Sequence, residues 1–294
     1  MSTSPAHTLT SPALTLDEVV DTERYPLTDP AGARVRRVVA DARRDLAAEG
    51  CTVLTDFVRP ELHEALREQC ADLAPRAHYD VETVNVYNID VDPDLPADHP
   101  GRVPFRRGNA FVARDLIPAE ALISVLYRDE AFRRFVAECF GLPRLHPLAD
   151  PLSGLVLNVV RPGMEHPWHF DTNEYTVSML TQQPDAGGEF EYCPGIRTAE
   201  SENFDDVRDV ITGGGRRLVR RLPLRPGDLQ LFKGRYSLHR VSPVAGERDR
   251  HSAIFAYSER PGVVGSPART RQLFGRVLPE HHAGHAVRTD ELLD

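Results

Sequence analysis

From about Leu152 onward the chain changes texture. Six short strand-like runs follow: Leu155–Val160, Thr176–Gln182, Glu189–Tyr192, Arg217–Pro223, Leu229–Lys233 and Arg250–Ser258. Between them stand turn signals: Arg161-Pro162-Gly163, Gly187-Gly188, Gly213-Gly214-Gly215 and Pro226-Gly227. Short strands punctuated by Gly and Pro turns predict an antiparallel sandwich or jelly roll, that is, a double-stranded β-helix. The expected class is an all-β core with helical support, α+β overall.

The support precedes the core. Val35, Val38, Val39, Ala42, Leu46 and Ala47 recur at helical spacing, which predicts a helix over Ala33–Glu49 that stops at Gly50. Cys51–Phe57 reads as a strand. Pro60 opens a second helix, Glu61–Leu73, because proline is tolerated in a first turn. Tyr79–Ile89 is extended, and Asp90–Gly101 is an acidic, Pro-rich loop suited to close over a site. Two further helices are expected at Leu116–Tyr127 and Glu130–Phe140, the second ended by Gly141 and Pro143. A short helix interrupts the strands at Asn203–Ile211, and another follows at Pro267–Gly275. The first 30 residues, rich in Ser, Thr, Pro and Asp, predict a loose arm with one helical turn at Thr15–Val20. No linker divides the remainder. Residues 31–294 are expected to form one domain, with helical support over 31–150, the jelly roll over 151–260 and a C-terminal helix and tail over 261–294.

Charge and cysteine usage limit the partners. The 294 residues carry a formal charge of −9, which disfavours nucleic acid and anionic membranes. Cys51, Cys70, Cys139 and Cys193 show no CxxC spacing, so reduced, buried thiols in a cytoplasmic protein are expected. The start, MSTSPAHTLT, lacks a secretion signal, and no run approaches the length of a membrane span. Nothing in the sequence sets an oligomeric state.

The chemistry concentrates in HPWHFDTNEYTVSML. In an extended strand, residues i and i+2 share a face. His169 and Asp171 therefore converge, and Phe170 points into the core. His239, in LFKGRYSLHRVSPV, is the best third ligand. Two imidazoles and one carboxylate on a β scaffold match the facial triad of non-haem Fe(II) enzymes, although the same set also binds zinc. Arg250 and Ser252 share a face of the last strand and suit a carboxylate, the guanidinium gripping it through two hydrogen bonds. Arg248 is the alternative anchor. His281, His282 and His285 form a tail cluster better read as ordinary surface. His63 is expected to be solvated, and Trp168, Phe190, Tyr192 and Phe232 to be packing residues.

These segments resemble those of the iron(II)/2-oxoglutarate-dependent oxygenases. The matching residues are His169-Phe170-Asp171, the run His239-Arg240-Val241-Ser242-Pro243-Val244, and Arg250-His251-Ser252. Gly187-Gly188-Glu189-Phe190 and Arg225-Pro226-Gly227-Asp228 fit as well. The pattern is most similar to the bacterial group of free-amino-acid hydroxylases and their related halogenases. The resemblance implies that His169, Asp171 and His239 bind iron and that Arg250 and Ser252 hold 2-oxoglutarate. It further implies that 2-oxoglutarate and O₂ are consumed with release of succinate and CO₂ as an unactivated C–H bond is hydroxylated. In the halogenases of that group Gly or Ala replaces the carboxylate ligand, so Asp171 marks the hydroxylating form. Desaturation, epimerisation or cyclisation on the same iron remains open. By that resemblance the substrate is expected to be a small molecule, a free amino acid or a derivative of one, with Arg106, Arg107, Asn109, His166 and Asn173 as its candidate contacts. The resemblance implies an arginine in the N-terminal half for a substrate carboxylate, with Arg106 and Arg107 not distinguished.

Overall fold

A computed structural model describes residues 14–283 and 292–293, apart from the side chain of Asn109. Two antiparallel sheets form the core. The larger has seven strands in the order Cys51–Leu54, Leu229–Phe232, Thr176–Gln182, Arg250–Phe255, Leu155–Val160, Asn109–Val112 and His78–Tyr79. The smaller runs Arg220–Leu222, Phe190–Cys193, Leu238–Val241 and His166–His169. Of the ten strands from Leu155 to Phe255, Ala186–Gly187 and Val244–Ala245 pair with each other, and the other eight divide four and four between the sheets, which is the expected jelly roll.

Alternation along the strands makes the two faces different. Leu155, Leu157, Val159, Val177, Met179, Ala253 and Phe255 face outward into one apolar cluster with the supporting helices. Helix Ala33–Glu49 supplies Val35, Val39, Ala42 and Leu46 to it, and helix Glu130–Phe140 supplies Phe132, Phe135 and Val136. The intervening positions, Asn158, Arg250 and Ser252, turn inward. Ser252 is the cross-strand partner of Asn158.

Three expectations need correction. The N-terminal arm is packed from Leu16 on: Leu16, Val19, Val20, Tyr25 and Leu27 are buried in the main core. Five large apolar side chains within twelve positions outweigh the polar residues between them. The helix expected at Leu116–Tyr127 is confined to Leu122–Arg128. Pro118 disfavours helical geometry at the residue before it, and a 3₁₀ turn, Arg114–Leu116, takes the preceding stretch. His63 is only partly solvated: it is half-buried, and its Nε2 lies 2.9 Å from the Val58 carbonyl. The four cysteines are free and buried. Among the described residues, no helix is long and apolar enough to cross a membrane.

The C-terminal segment is latched to the core by Asp150. One carboxylate oxygen accepts from the backbone N–H of Leu152 and Ser153, both at 2.8 Å, and the other from Gly265 at 2.9 Å. His281 closes the set at 3.3 Å, with both side chains fully buried. His281 thus has a structural partner, while His285 of the tail cluster lies outside the described residues. Burial raises the Asp150 carboxyl, but the three N–H bonds and the nearby His281 outweigh it and hold the group below its ordinary value. A depressed carboxyl stabilises the fold above its unfolded value, and that contribution disappears as pH falls through the folded value. Acidification below about pH 4 is therefore expected to loosen the segment after Gly265. Asp150→Ala strands three backbone donors, one buried and two partly buried, together with the buried His281, and should lower stability by about 3 kcal/mol. Thermal melting at pH 7 checks this, and an unchanged midpoint would contradict the latch.

Candidate metal centre and co-substrate site

His169 and His239 are direct cross-strand partners in the smaller sheet. Pairing alone therefore brings the two imidazoles side by side, with ring centroids 4.1 Å apart. Asp171 lies beyond the end of its strand, which stops at His169. Its backbone N–H donates to the Gly234 carbonyl at 3.1 Å, and this bond carries the carboxylate back to the imidazoles. Ligand atoms of His169, Asp171 and His239 all lie within 4.8 Å of one another. Asp171 Oδ1 is 3.7 Å from His169 Nε2 and 3.5 Å from His239 Nε2. Such gaps admit one ion bonded to each donor at about 2.0–2.2 Å.

The surroundings fit a metal in a further way. His169 Nδ1 lies 2.7 Å from the Pro167 carbonyl, and His239 Nδ1 2.9 Å from that of Ser237. A carbonyl only accepts, so each proton sits on Nδ1 and each Nε2 lone pair is left to face the centre. Burial, with His166 and His239 close by, pushes the His169 imidazole well below its ordinary value. Burial acts the other way on Asp171, but His239, His169 and the Thr176 hydroxyl hold its carboxyl well below the usual range. Thr176 Oγ1 donates to Asp171 Oδ2 at 2.5 Å. The donors are thus two imidazoles whose Nε2 atoms face the centre and a carboxylate held anionic, a set a divalent cation needs.

Gly234 makes room for that anion. A Cβ there would lie 2.0 Å from Asp171 Oδ2. Gly234→Ala is expected to weaken Fe(II) binding about 10- to 100-fold, the size seen when a ligand's support is disturbed. Anaerobic titration reads this directly, and an unaltered affinity would show that the loop yields.

Arg250 enters the barrel from the larger sheet. Its Nε donates to the Gly188 carbonyl at 2.9 Å and its Nη1 to Ser252 Oγ at 2.6 Å. Burial pushes its guanidinium down to about 10, so it stays cationic near neutrality. Gly187 and Gly188 have φ of +66° and +62°, a region glycine enters without penalty. A Cβ on Gly188 would press on Arg250 Cδ at 3.0 Å.

The other expected site residues separate. Arg248 is not an anchor: its side chain is 57% exposed and pairs with Asp185 at 3.1 Å, because it lies before the strand in a turn. Arg106 and Arg107 alternate on one strand, Arg106 outward and Arg107 buried. Arg107 pairs with Glu82 and donates to Asn88 Oδ1 at 3.2 Å. Asn88 in turn donates to the Phe170 carbonyl at 3.0 Å, tying Arg107 to the ligand segment. Asn173 is exposed on the turn after Asp171. Asn109 begins the strand Asn109–Val112, and its side chain lies outside what is described. His166 stacks on His169 at 3.8 Å, 13° from parallel. Burial, then Arg107, His239, Arg269 and Arg250, keeps His166 neutral by holding it well below its ordinary value.

Phe170 and Trp168 pack as expected. The Arg197 guanidinium lies 3.8 Å over the Phe170 ring, and that of Arg240 4.8 Å over Trp168. Phe190 and Phe232 also wall His239, with centroids at 5.6 and 4.8 Å. Two contributors escaped the sequence reading, Gly234 and Thr176, and both lie close to the motif residues.

Comparison with known proteins extends this picture. A family model described as Halogenase D (HalD) matches residues 35–264. A comparison with curated proteins found no match. AviO1 from Streptomyces viridochromogenes Tue57 is 20% identical, with TM-score 0.51, over 76% of this chain and 96% of that one. The alpha-ketoglutarate-dependent carbocyclase SnoK, from nogalamycin biosynthesis, is 16% identical with TM-score 0.51 over 78% and 89%. The epimerase SnoN, from the same biosynthesis, is 11% identical with TM-score 0.50 over 76% and 83%. The protein is a non-haem iron, 2-oxoglutarate-dependent oxygenase. The chain belongs to the Halogenase D family.

Proposed function

We propose that this oxygenase hydroxylates an unactivated C–H bond of a free amino acid or a close derivative. His169, Asp171 and His239 would hold the iron, and Arg250 with Ser252 the distal carboxylate of 2-oxoglutarate. When bound, iron and keto acid supply, with O₂, the oxidising power to break such a bond, with release of succinate and CO₂. The chain's own part is to bind, orient and shield. Carbonyl partners fix both imidazoles in the ligating tautomer, and the aromatic wall of Phe190 and Phe232 keeps water from His239.

The observation that carries the hydroxylase reading is the Asp171 carboxylate, aligned by Thr176 and Gly234. Family membership favours halogenation as the second reading. That chemistry needs a place for a halide beside the metal, and the resemblance assigns it to chains with Gly or Ala where this one has Asp171. A zinc hydrolase is disfavoured because it has no use for the buried Arg250–Ser252 pair. Desaturation or ring closure would use the same side chains, since fold does not select the reaction. Four buried thiols support a cytoplasmic setting.

The test has two stages. Fe(II) and 2-oxoglutarate added without oxygen should give a weak visible charge-transfer band. A pooled amino-acid and metabolite screen with O₂ then follows succinate and product mass. A gain of one oxygen supports hydroxylation, whereas a chlorinated product or a loss of two hydrogens overturns it.

A further inference from the structure

Asp171 stands past the end of its strand, so no sheet ladder holds it. The loops around it are joined by one charged side chain. Arg197 is only 1% exposed and is among the largest fully buried side chains. Its guanidinium carbon lies 3.8 Å from the ring centre of Phe170, the residue between His169 and Asp171. Its Nε donates to the Arg235 carbonyl at 2.7 Å, and its backbone N–H to the Tyr236 carbonyl at 3.3 Å. Arg235 follows Gly234, whose carbonyl accepts the Asp171 N–H. The Arg235 side chain donates to the Thr172 carbonyl at 3.3 Å, on the far side of the ligand. Arg197 therefore touches both halves of the contact that brings the carboxylate to the imidazoles. It meets the ligand segment at Phe170 and the 234–236 loop through two hydrogen bonds.

The tip of the side chain is held as well. Nη1 donates to Glu202 at 3.0 Å and to the Leu293 carbonyl at 3.1 Å, and the Leu293 N–H donates to the other Glu202 oxygen. Backbone bonds between Thr198 and Ser201, in both directions, close the turn that leads from Arg197 to Glu202. Leu293 packs on the apolar cluster that contains Tyr87, Trp168 and Phe170. Filling space does not account for an arginine here. A methionine could pack behind Phe170 without the cost of burying a charge. What the guanidinium adds is direction: a planar group fixed by hydrogen bonds and held over an aromatic face.

We propose that Arg197 is a positioning residue for the iron ligand Asp171, acting through Phe170 and the 234–236 loop, with Glu202 and Leu293 holding the guanidinium in place. This rests on the reading of the triad as the iron site and is independent of which substrate is hydroxylated.

Anaerobic titration of the full chain with Fe(II) tests the assignment. Arg197→Met keeps the bulk and removes the charge, and should weaken Fe(II) binding about 10- to 100-fold. Arg197→Lys, which keeps the charge without the fork, should lose less. Glu202→Gln, at a partly exposed position, should give a smaller loss in the same direction, and it reads the link even if neither arginine variant folds. A merely structural role would lower the melting temperature without passing through the carboxylate. A double-mutant cycle with Asp171→Gly separates the two. Once Asp171 is glycine, Arg197→Met should change Fe(II) affinity by less than about threefold. Wild-type affinity in a folded Arg197 variant or in Glu202→Gln, or an equal loss with and without Asp171, would each overturn the proposal. Wild-type protein that binds no Fe(II) would overturn the triad reading together with it, whereas tight binding that no variant alters would overturn this proposal alone.

Discussion

Asp171→Gly is expected to reduce hydroxylated product by more than about 100-fold, beyond the range typical for loss of a ligand's supporting partner. The carboxylate is the one anionic donor of the triad, and it alone meets both imidazoles, at 3.7 and 3.5 Å. Its removal also leaves Thr176 without its acceptor. Iron should therefore bind more weakly, and the fraction still loaded should sit in an open, water-accessible position. Product mass spectrometry, run with and without chloride, reads the outcome. Hydroxylation retained at the wild-type rate would show that Asp171 is not an essential ligand. The fold should survive, because the side chain contributes charge at the site and no apolar packing.

Arg250→Leu is expected to weaken 2-oxoglutarate binding by about 100-fold, because a charge-assisted hydrogen bond is worth about 1.5–3 kcal/mol and more than one is lost. The change also deprives the Gly188 carbonyl and Ser252 hydroxyl of their donor. Arg250→Lys should fall between, since an ammonium restores charge without the planar fork. The measurement is the 2-oxoglutarate dependence of the anaerobic visible band. A greater effect on amino-acid affinity than on 2-oxoglutarate would move Arg250 to the substrate side.

The contrast between Arg250 and Arg248 shows how much of the site was legible. Alternation along an extended strand puts Arg250 and Ser252 on one face, and that reading depends on nothing beyond local geometry. Arg248 lies two positions earlier and would share the face if the strand began sooner. Where the strand begins is set by the turn in which Asp185 accepts from the Glu247 and Arg248 N–H groups, a contact 62 and 63 residues distant in sequence. The N-terminal arm misled for a related reason. Its polar composition is real, yet the spacing of Leu16, Val19, Val20, Tyr25 and Leu27 suits a groove that exists only once the helices have packed.

The amino-acid order alone determined the donor types, their placement on strands, the turn positions and the helices with strong periodicity. All of these follow from interactions within a few residues or from a side-chain period that no partner alters. Tertiary structure decided that Gly234 carries Asp171 back to the imidazoles and that Arg107 rather than Arg106 turns inward. Each of those outcomes depends on a neighbour remote along the chain, and only the folded packing brings that neighbour into contact.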